Sequence, residues 1–423
     1  GLKRRRLDRP WVRENGKLRE ATWTEAFNVI AAKLKPLSGA QIGAIAGDLC
    51  DAESMLALKD LMDSLGSVNL DCRQDGARLD PTRRDFYCFN TSIAGIEEAD
   101  ALLIIGANPR REAPLINARI RKRSLAGPFP IAAIGAGVDL TYRGDWLGAG
   151  PGALRGLLDG SHPFAATLKN AKRPMVILGQ TALRRSDGAA ILAACWKLAA
   201  DTGMLTADWH GFNVLHTAAA RMGALDLAFL PGQGKNGGKA MGAMMGGGVD
   251  LLWLLGADEF NTARIGAGTF VIYQGHHGDA GAARADVILP GAAYTEKNAT
   301  YVNTEGRVQR GQFAIHPPAD AREDWKIIRA FSGFIGKPLP YDDLAAVRAR
   351  LEQVNPVFAR IDILPRFGCT DRTPPAGNPA ALGGPDFADP MPNYYQTDPI
   401  SRASPTMAAC VREIMAPTAQ AAE

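Results

Sequence analysis

Residues 284–312, RADVILPGAAYTEKNATYVNTEGRVQRGQ, decide the fold of this chain. Within them, residues 287–289 form a short apolar run that Pro290 and Gly291 stop, which predicts a buried strand followed by a turn. Polar loops beyond the carboxyl ends of parallel strands are where open α/β folds bind ligands. Such a loop can also satisfy only its own backbone, and spacing alone favours that structural role. The polar residues around the run are Asp286, Glu296, Asn298, Asn303, Glu305 and Arg307.

Length and composition predict a globular protein with more than one lobe. The chain has 423 residues, 46% of them hydrophobic, which is enough for two lobes and a tail. Its 48 basic and 44 acidic residues give a net charge of only +4, which argues against a nucleic-acid partner. No apolar run reaches the length of a membrane span, so we expect no direct contact with the membrane interior.

A repeated strand pattern predicts an α/β fold with two similar, doubly wound lobes. Residues 99–109 (ADALLIIGANP) and 248–258 (GVDLLWLLGAD) both place five apolar residues before Gly-Ala-Asn or Gly-Ala-Asp. We therefore predict parallel sheets covered by helices on both faces, with Leu103 and Trp253 on central strands. The predicted parts are a basic arm with the first helix (1–38), a first lobe (39–160), a second lobe (161–340), and C-terminal helices with a proline-rich wrapping segment (341–423).

Capping residues predict several helices around these strands. Thr22 and Glu25 have capping-box spacing, which predicts a helix over residues 23–35. Asp51 is expected to cap a helix with one apolar face, and Asp187 an alanine-rich helix that reaches about residue 200. Three later helices are expected at residues 321–334, 341–354 and 402–415.

Two glycine-containing segments invite nucleotide binding, but neither carries a complete motif. Residues 231–248 lack the G-x-x-x-x-G-K-[ST] pattern, so we expect a flexible surface loop there. The turn Gly106-Ala107-Asn108-Pro109 follows a buried strand, as in many α/β proteins. No G-x-G-x-x-G stands after a strand with an acid about 20 residues later, which argues against an NAD-binding dehydrogenase.

The spacing of possible metal ligands gives no metal motif. Adjacent His276 and His277 could ligate a metal, but the sequence places no third ligand beside them. The remaining histidines are isolated, and we expect structural roles for His162, His210, His216 and His316. The cysteines at 50, 72, 88, 195, 369 and 410 form no close pairs, which predicts reduced, mostly buried thiols. Folding could still bring distant cysteines together.

Two basic segments are candidates for binding a partner. Residues 3–9 and 110–123 are rich in arginine, whose planar guanidinium group suits bidentate pairing with carboxylates. The alternative is that both are solvated basic surfaces.

Several stretches resemble a known family. Residues 284–312 are similar to the segment that closes the pterin-binding fold of the molybdopterin oxidoreductases. With residues 95–122, YQGHHGD (273–279) and AREDWKIIRA (321–330), they resemble in particular the G subunit of the NADH–quinone oxidoreductases, which is the largest peripheral-arm subunit of respiratory complex I. The likeness runs through nearly the whole chain.

The resemblance implies a structural role in the peripheral arm of that complex. The expected partners are the flavin-containing NADH-binding subunit and the iron–sulfur subunits. The 4Fe–4S and 2Fe–2S clusters of the G subunit are expected in a part that precedes this sequence. The implied location is the cytoplasmic side of a bacterial inner membrane, or the matrix side in mitochondria.

In related enzymes, loops that match Gly106–Pro109 and residues 294–307 hold a pterin. No cysteine or selenocysteine motif for molybdenum is visible here, although a serine or aspartate ligand is harder to exclude. We therefore expect a relative that binds no cofactor, and assign no catalytic, cofactor-binding or metal-binding residue. The alternative is an active molybdopterin-dependent oxidoreductase fragment.

Overall fold

In the described part of the chain, the strands build two main sheets and one separate hairpin. A computed structural model describes residues 1–234, 237–365, 368–389 and 391–415. The strands, in chain order, are β1 (Trp11–Glu14), β2 (Lys17–Glu20), β3 (Ile42–Ala46), β4 (Leu70–Asp71), β5 (Ala101–Ile105), β6 (Ile131–Ile134), β7 (Asp145–Gly148), β8 (Pro174–Leu178), β9 (Phe212–Val214), β10 (Leu251–Leu255), β11 (Phe270–Gly275), β12 (Val287–Pro290), β13 (Ala299–Val302) and β14 (Val308–Gly311).

Helices cover both main sheets, as expected of a doubly wound fold. In chain order they are α1 (Trp23–Leu34), α2 (Ala52–Ser64), α3 (Pro109–Glu112), α4 (Pro114–Leu125), α5 (Pro151–Leu158), α6 (Phe164–Asn170), α7 (Gln180–Leu183), α8 (Gly188–Asp201), α9 (Arg221–Asp226), α10 (Met241–Ala243), α11 (Ala280–Arg284), α12 (Asp324–Phe334), α13 (Leu344–Val354), α14 (Pro399–Arg402) and α15 (Pro405–Cys410). Within the described residues, no helix combines the length and apolar character that crossing a membrane requires.

The first sheet has seven strands in the order β2-β1-β12-β11-β10-β3-β4. Strands β12, β11, β10, β3 and β4 are parallel, and β1 joins the edge antiparallel to β12. The predicted strand at 287–289 is β12, which is buried throughout. The second sheet has five parallel strands in the order β7-β6-β5-β8-β9. Leu103 lies on its central strand and Trp253 on an inner strand of the first sheet, and both belong to one continuous core.

The α/β fold with parallel sheets is confirmed, but the chain is divided between the sheets differently from the sequence prediction. The seven-stranded sheet takes strands from residues 11–71 and 251–290, and the five-stranded sheet takes those from 101–214. Consequently, the predicted boundary between 39–160 and 161–340 does not separate the two sheets. Apolar runs identify buried strands, whereas pairing β3 with β10 depends on contacts between residues about 200 positions apart, which no local pattern encodes.

All three predicted cap residues stand at the N-cap of a helix, and two of them make capping bonds. Thr22 accepts a hydrogen bond from the Glu25 amide (3.2 Å), and Asp51 accepts one from the Ser54 amide (2.8 Å). Asp187 stands at the N-cap of α8 (Gly188–Asp201), as predicted, but its side chain makes no capping bond and instead pairs with Arg185 (2.8 Å). Helix α2 is buried on nearly all sides rather than on one face, because it lies beneath α12 and α13 as well as the sheet.

The glycine-rich segment is not simply a surface loop. Met241, Met244 and Met245 are buried against the seven-stranded sheet, beside Ile45 and Leu252. Residues 235 and 236 of this segment lie outside the described residues.

The proline-rich segment runs along the five-stranded lobe, as expected of a wrapping segment. Trp196 donates to the Arg372 carbonyl (3.1 Å), and the Phe387 amide donates to the Ala149 carbonyl (2.9 Å). The single helix expected at 402–415 is replaced by α14, α15 and a wider helical turn, Val411–Met415.

Candidate functional site

The first candidate site lies where strand order reverses in the seven-stranded sheet. From β3 the chain proceeds to β4 on one side, whereas β10 leads to β11 and β12 on the other. Open α/β sheets bind ligands outside the carboxyl ends of strands at such a switch point. Gly256, with φ +55°, ends β10 there, and a Cβ on neighbouring Gly47 would lie 1.8 Å from the Gly256 carbonyl oxygen. The two strand ends therefore approach too closely for any side chain at Gly47.

Lys297 fills the crevice at this switch point. Its Nζ lies 2.6 Å from Asp51 Oδ2 and 2.9 Å from Asp324 Oδ2, and the lysine side chain is only 6% exposed. Gln274 donates to the second oxygen of Asp324 (3.1 Å). Burial alone would lower the pKa of Lys297, but Asp324 and Asp51 together raise that pKa well above its usual value. The lysine is therefore charged and fully paired.

The remaining space at this crevice is too small for a pterin. The cavity has a volume of about 20 Å³ and is lined by Asp51, Gly256, Gln274 and Lys297, among others. A volume of this size accommodates about one water molecule. In this arrangement, the residues do not fit a pterin cofactor, and their charged groups are already paired with one another.

The polar loop after β12, residues 291–307, connects different parts of the molecule. Thr300 donates to Glu53 of α2 from its amide (2.7 Å) and its hydroxyl (2.6 Å). Farther along, the Phe89 amide donates to the Thr304 carbonyl (2.8 Å), and the Ile93 amide donates to Glu305 (2.9 Å). The polar loop therefore links the seven-stranded lobe to the segment that enters the five-stranded lobe.

Glu296 of the same segment holds the N-terminal arm. Arg6 binds both carboxylate oxygens of Glu296, with Nη2 2.7 Å from Oε2, and the two side chains are 10% and 3% exposed. Arg6 also donates to the His276 carbonyl (2.9 Å). Arg6 is therefore already paired within the molecule, whereas Arg4 and Arg5 of the same segment are exposed.

Helix α14, in the C-terminal segment, covers the rim of the crevice. Arg402 contacts Asp279 (2.5 Å) and Glu259 (3.0 Å), and Gln74 donates to Glu259 (3.0 Å). Burial, reinforced by the nearby carboxylates of Asp48 and Asp258, raises the pKa of Glu259 to about 7. The rim therefore contains an acid that titrates near neutral pH.

A second switch point lies between β5 and β8 of the five-stranded sheet. Gly106, with φ +57°, ends β5 as Gly256 ends β10, and a Cβ on Gly179 would lie 2.2 Å from the Gly106 carbonyl oxygen. The same close approach at both switch points explains the similarity between residues 99–109 and residues 248–258. Sheet pairing, rather than two contiguous repeats, underlies that likeness.

An open cavity lies beside this second switch point, on the β6 side of β5. Its volume is about 640 Å³, and it lies beside the carboxyl ends of β5 and β6. Arg110 pairs with Asp139 (2.6 Å) and Arg111 with Asp389 (3.2 Å), so the arginines already have carboxylate partners. The cavity is lined by Asn108, Arg110, Arg111, Val138, Asp139, Asp389, Tyr394, Tyr395, Ile414 and Met415.

The histidine pair does not gather a metal-ligand set among the described residues. The Nδ1 atoms of His276 and His277 lie 2.6 Å apart, and His277 Nε2 lies 3.2 Å from the Gly1 carbonyl oxygen. Burial and the adjacent ring of His277 lower the pKa of His276 well below its usual value. Burial also lowers the pKa of His277, so both rings are neutral at pH 7.

The sequence analysis identifies the polar loop after β12 but not the role of Lys297 within it. Lys297 carries no spacing signal, because its partners Asp51 and Asp324 come from distant segments. The sequence identifies Asp51 only as a helix cap, a role that it also fulfils. Arg402 escapes prediction for the same reason, since Glu259 and Asp279 are far from it in sequence.

Comparison with known proteins agrees with this fold. The molybdopterin oxidoreductase family matches residues 6–334, and a family described as the C-terminal part of the NADH-ubiquinone oxidoreductase G subunit matches residues 371–410. The chain resembles one chain in the structure of the formyltransferase/hydrolase complex FhcABCD from Methylorubrum extorquens. The TM-score is 0.57 and the identity 16%, over 78% of this chain and 99% of that chain. Acetylene hydratase from Pelobacter acetylenicus gives a TM-score of 0.57 and 15% identity over 85% of this chain and 65% of that one. These two likenesses concern the fold alone.

Sequence relatives are considerably more similar. The NADH-quinone oxidoreductase G subunit of Rickettsia felis is 43% identical over 97% of this chain and 59% of its own length. The mitochondrial NADH-ubiquinone oxidoreductase 78 kDa subunit of Candida albicans is 42% identical over 97% of this chain and 57% of its own length. The chain thus spans rather less than two thirds of these relatives. It belongs to the molybdopterin oxidoreductase family, and within that family it is similar to the G subunit of the NADH–quinone oxidoreductases.

Proposed function

We propose that this chain is a structural and assembly part of the peripheral arm of a proton-pumping NADH–quinone oxidoreductase and holds no pterin. NADH oxidation and quinone reduction take place in neighbouring subunits. Its partners are the flavin-containing NADH-binding subunit and the iron–sulfur subunits, and the 4Fe–4S and 2Fe–2S clusters belong to another part of the same subunit. As part of such a complex, the chain would lie on the cytoplasmic side of a bacterial inner membrane, or on the matrix side in mitochondria.

The observation that carries this proposal is the lysine in the first crevice. In a pterin enzyme the anionic cofactor would need cations and hydrogen-bond donors at this strand edge. Lys297 lies there instead between two carboxylates of the chain itself, in a space of about 20 Å³. Separating Lys297 from these carboxylates to admit a ligand would leave buried charges unpaired, which costs about 3–5 kcal/mol.

Chemical analysis of the purified chain tests the absence of a pterin. The chain is purified from a host that makes molybdenum cofactor, and its molybdenum, tungsten and oxidised pterin are measured. We expect each at well below one per chain. Stoichiometric pterin with molybdenum or tungsten would overturn the proposal and favour the oxidoreductase alternative, while tight NADH binding in a titration would favour a dehydrogenase.

Exposed arginines of the N-terminal arm offer a test of assembly. We expect Arg4→Glu with Arg5→Glu, in the full subunit, to reduce its recovery in the assembled peripheral arm, because like charges would then face an acidic partner. Arg6 is left unchanged, because its loss would release the arm from Glu296 inside the molecule. The control is Arg310→Glu with Lys326→Glu, a pair of exposed cations elsewhere. Equal recovery of both double variants would argue against this segment as an interface.

A further inference from the structure

Helix α4 exposes an apolar stripe on the outside of the five-stranded lobe. Leu115 and Leu125 are 82% and 72% exposed, the highest values among the large apolar side chains that the structure describes. Ala118 and Lys122 lie between them on the helix and are exposed as well. These four residues, which we call the α4 stripe, follow one another at spacings of three, four and three positions, so they share one face of the helix.

The inward face of α4 is sufficient to hold the helix on the lobe. Ile116 and Ile120 are buried in the hydrophobic cluster that this helix forms with residues of β5 and β6. Asn117, also buried, donates to the Leu140 carbonyl (3.1 Å). Neither leucine of the α4 stripe belongs to that cluster. The stripe therefore leaves apolar surface in water without stabilising the core of the lobe.

The spacing of the α4 stripe is that of a coiled-coil seam. Its four residues occupy successive a and d positions of a heptad abcdefg. Arg119 and Arg121 then flank the seam at e and g, the positions where coiled coils place the charges that select a partner. Lys122, at an a position, can lay its aliphatic stem along the seam and keep its ammonium group at the edge. The pattern favours docking of a second helix along α4.

The charges beside the α4 stripe favour an acidic partner. Arg119 (2.5 Å) and Lys122 (2.7 Å) share a single carboxylate, that of Glu97. Arg121 donates to the Thr141 carbonyl (3.3 Å) and forms no ion pair within the described part of the chain. This excess of positive charge attracts carboxylates on an opposing surface. A second copy of the stripe would instead bring like charges together.

The dimensions of α4 indicate that the contact is one part of a larger interface. Its twelve residues span about 18 Å, or about three turns. A helix pair of that length buries far less surface than a stable interface between two chains requires. The partner must therefore be held at other surfaces too, as in an assembly of several subunits. A helix that binds a membrane surface presents a broader apolar face than this narrow seam.

We propose that the α4 stripe docks an amphipathic helix of another subunit, with apolar residues along the shared seam and carboxylates opposite Arg119 and Arg121. The inference rests on the proposed place of this chain in the peripheral arm, and it assigns the surface and the chemistry of one contact there. On docking, Leu115 and Leu125 leave water, which is the favourable term. Arg121 gains a carboxylate partner, which fixes the register of the two helices.

Photo-crosslinking in the assembled complex tests the contact directly. The full subunit carries p-benzoylphenylalanine in place of Ala126, which is exposed beside the α4 stripe and leaves the seam free. The arm is purified through a tag on the flavin subunit, and the crosslinked peptide is sequenced. We expect a segment of another subunit with heptad-spaced apolar residues and flanking Asp or Glu. The same label in place of Ile363, which is exposed near β14, should not reach that segment.

The other outcomes of this experiment contradict the proposal in different ways. No crosslink from position 126, a crosslink to lipid, or one to a second copy of the chain would overturn it while leaving the proposed function intact. If even the unlabelled subunit fails to co-purify with the flavin subunit, the proposed function is wrong and the inference fails with it.

Variants separate the apolar anchors of the contact from its charges. Leu115→Asn with Leu125→Asn should speed dissociation of the subunit from the arm by at least about tenfold, because two buried anchors are lost. The control is Ile315→Asn with Ile363→Asn, which removes two exposed apolar side chains elsewhere and should leave the rate unchanged. A leucine variant that dissociates at the rate of the unchanged subunit would overturn the proposal.

Charge reversal completes the test. Arg121→Glu should also speed dissociation, and raising the salt concentration should reduce the difference from the unchanged subunit. Replacing the acidic residue of the crosslinked segment by Lys should then restore retention of Arg121→Glu, because the pair is re-formed with opposite signs. Failure of every such replacement to restore retention would contradict the assigned carboxylate partner.

Discussion

The two switch points of this molecule share a backbone design but differ in what fills them. At both, a glycine with positive φ follows an inner strand and approaches another glycine too closely for a side chain. At the first, Lys297 and two carboxylates leave about 20 Å³, whereas an open cavity of about 640 Å³ lies beside the second, at the ends of β5 and β6. The ligand-binding edge of a parallel sheet can thus become either an internal brace or an open cleft, depending on a few charged residues.

The difference lies in burial of the ion pairs. Lys297 and its partners are all less than 10% exposed, so each charge depends on the others for stabilisation. Arg110 and Asp139 are 49% and 74% exposed, and water can replace either partner. Removing a charge should therefore have a large effect at the first switch point and a small one at the second.

The largest effect is expected from Lys297→Met. This change leaves Asp51 and Asp324 buried without their cation and should lower the free energy of unfolding by about 3–5 kcal/mol. Urea unfolding at pH 7 would measure the loss. Lys326→Met is the control, because Lys326 is half exposed and contacts its sequence neighbours Glu323 and the Trp325 ring, so a change within about 0.5 kcal/mol is expected. A similarly small change for Lys297→Met would show that burial of the ion pairs does not make the first switch point more sensitive to the loss of a charge.

Arg6→Met should have the next largest effect. Glu296 would lose a bidentate partner in a site that is almost fully buried, and we expect a loss of about 2–3 kcal/mol in the free energy of unfolding. Thermal unfolding by calorimetry would detect it. Arg4→Met is the matched control on the exposed side of the same arm. If both variants unfold at the same temperature, the arm is not held through Glu296.

Much of this fold could be predicted locally. The apolar runs at β5, β10 and β12 coincide with the observed strands, because four or five consecutive buried residues leave few alternatives in an α/β protein. Capping by Thr22 and Asp51 was equally clear, since the cap and the amide that donates to it are three residues apart. Helix α8 begins directly after Asp187, as predicted, but the side chain of Asp187 does not cap it, because neighbouring Arg185 competes for the same carboxylate.

The candidate site could be predicted only in part. The loop after β12 can be identified from its polar residues, but the partners of those residues cannot. Glu53, Asp51 and Asp324 reach Thr300 and Lys297 only after α2 and α12 pack against each other. Similarly, the order of the two sheets depends on which buried strand pairs with which, and all of these strands are comparably apolar. Long-range pairing of this kind leaves no trace in spacing.

A moderate, pH-dependent effect is expected from Glu259→Gln. The pKa of Glu259 rises from 4.5 to about 7 on folding, chiefly by burial, so the folded state binds the proton more tightly. Its contribution is favourable below pH 4.5 and is lost as the pH rises to about 7, by about 1–3 kcal/mol. Relative to the unchanged chain, Glu259→Gln should therefore gain stability over this range and remain level above it.

Glu112 provides the matched comparison at the second switch point. Burial also raises its pKa to about 7, so Glu112→Gln should show the same sign in urea unfolding between about pH 5 and about pH 8. A difference between variant and unchanged chain that is constant with pH, or that falls as pH rises, would contradict the prediction for the acid concerned. The two results together would show whether the crevices differ in their ion pairs alone or also in their buried acids.

The smallest effect is expected from Arg110→Met with Arg111→Met. Each arginine pairs with a carboxylate that water also reaches, so the double variant should lose less than about 1 kcal/mol of unfolding free energy. Raising the salt concentration should shrink that loss further, because salt screens exposed charges. Urea unfolding at low and high salt would measure both. A loss as large as that of Lys297→Met, and insensitive to salt, would mean that the second crevice is braced in the same way as the first and that its open volume does not reflect weak pairing.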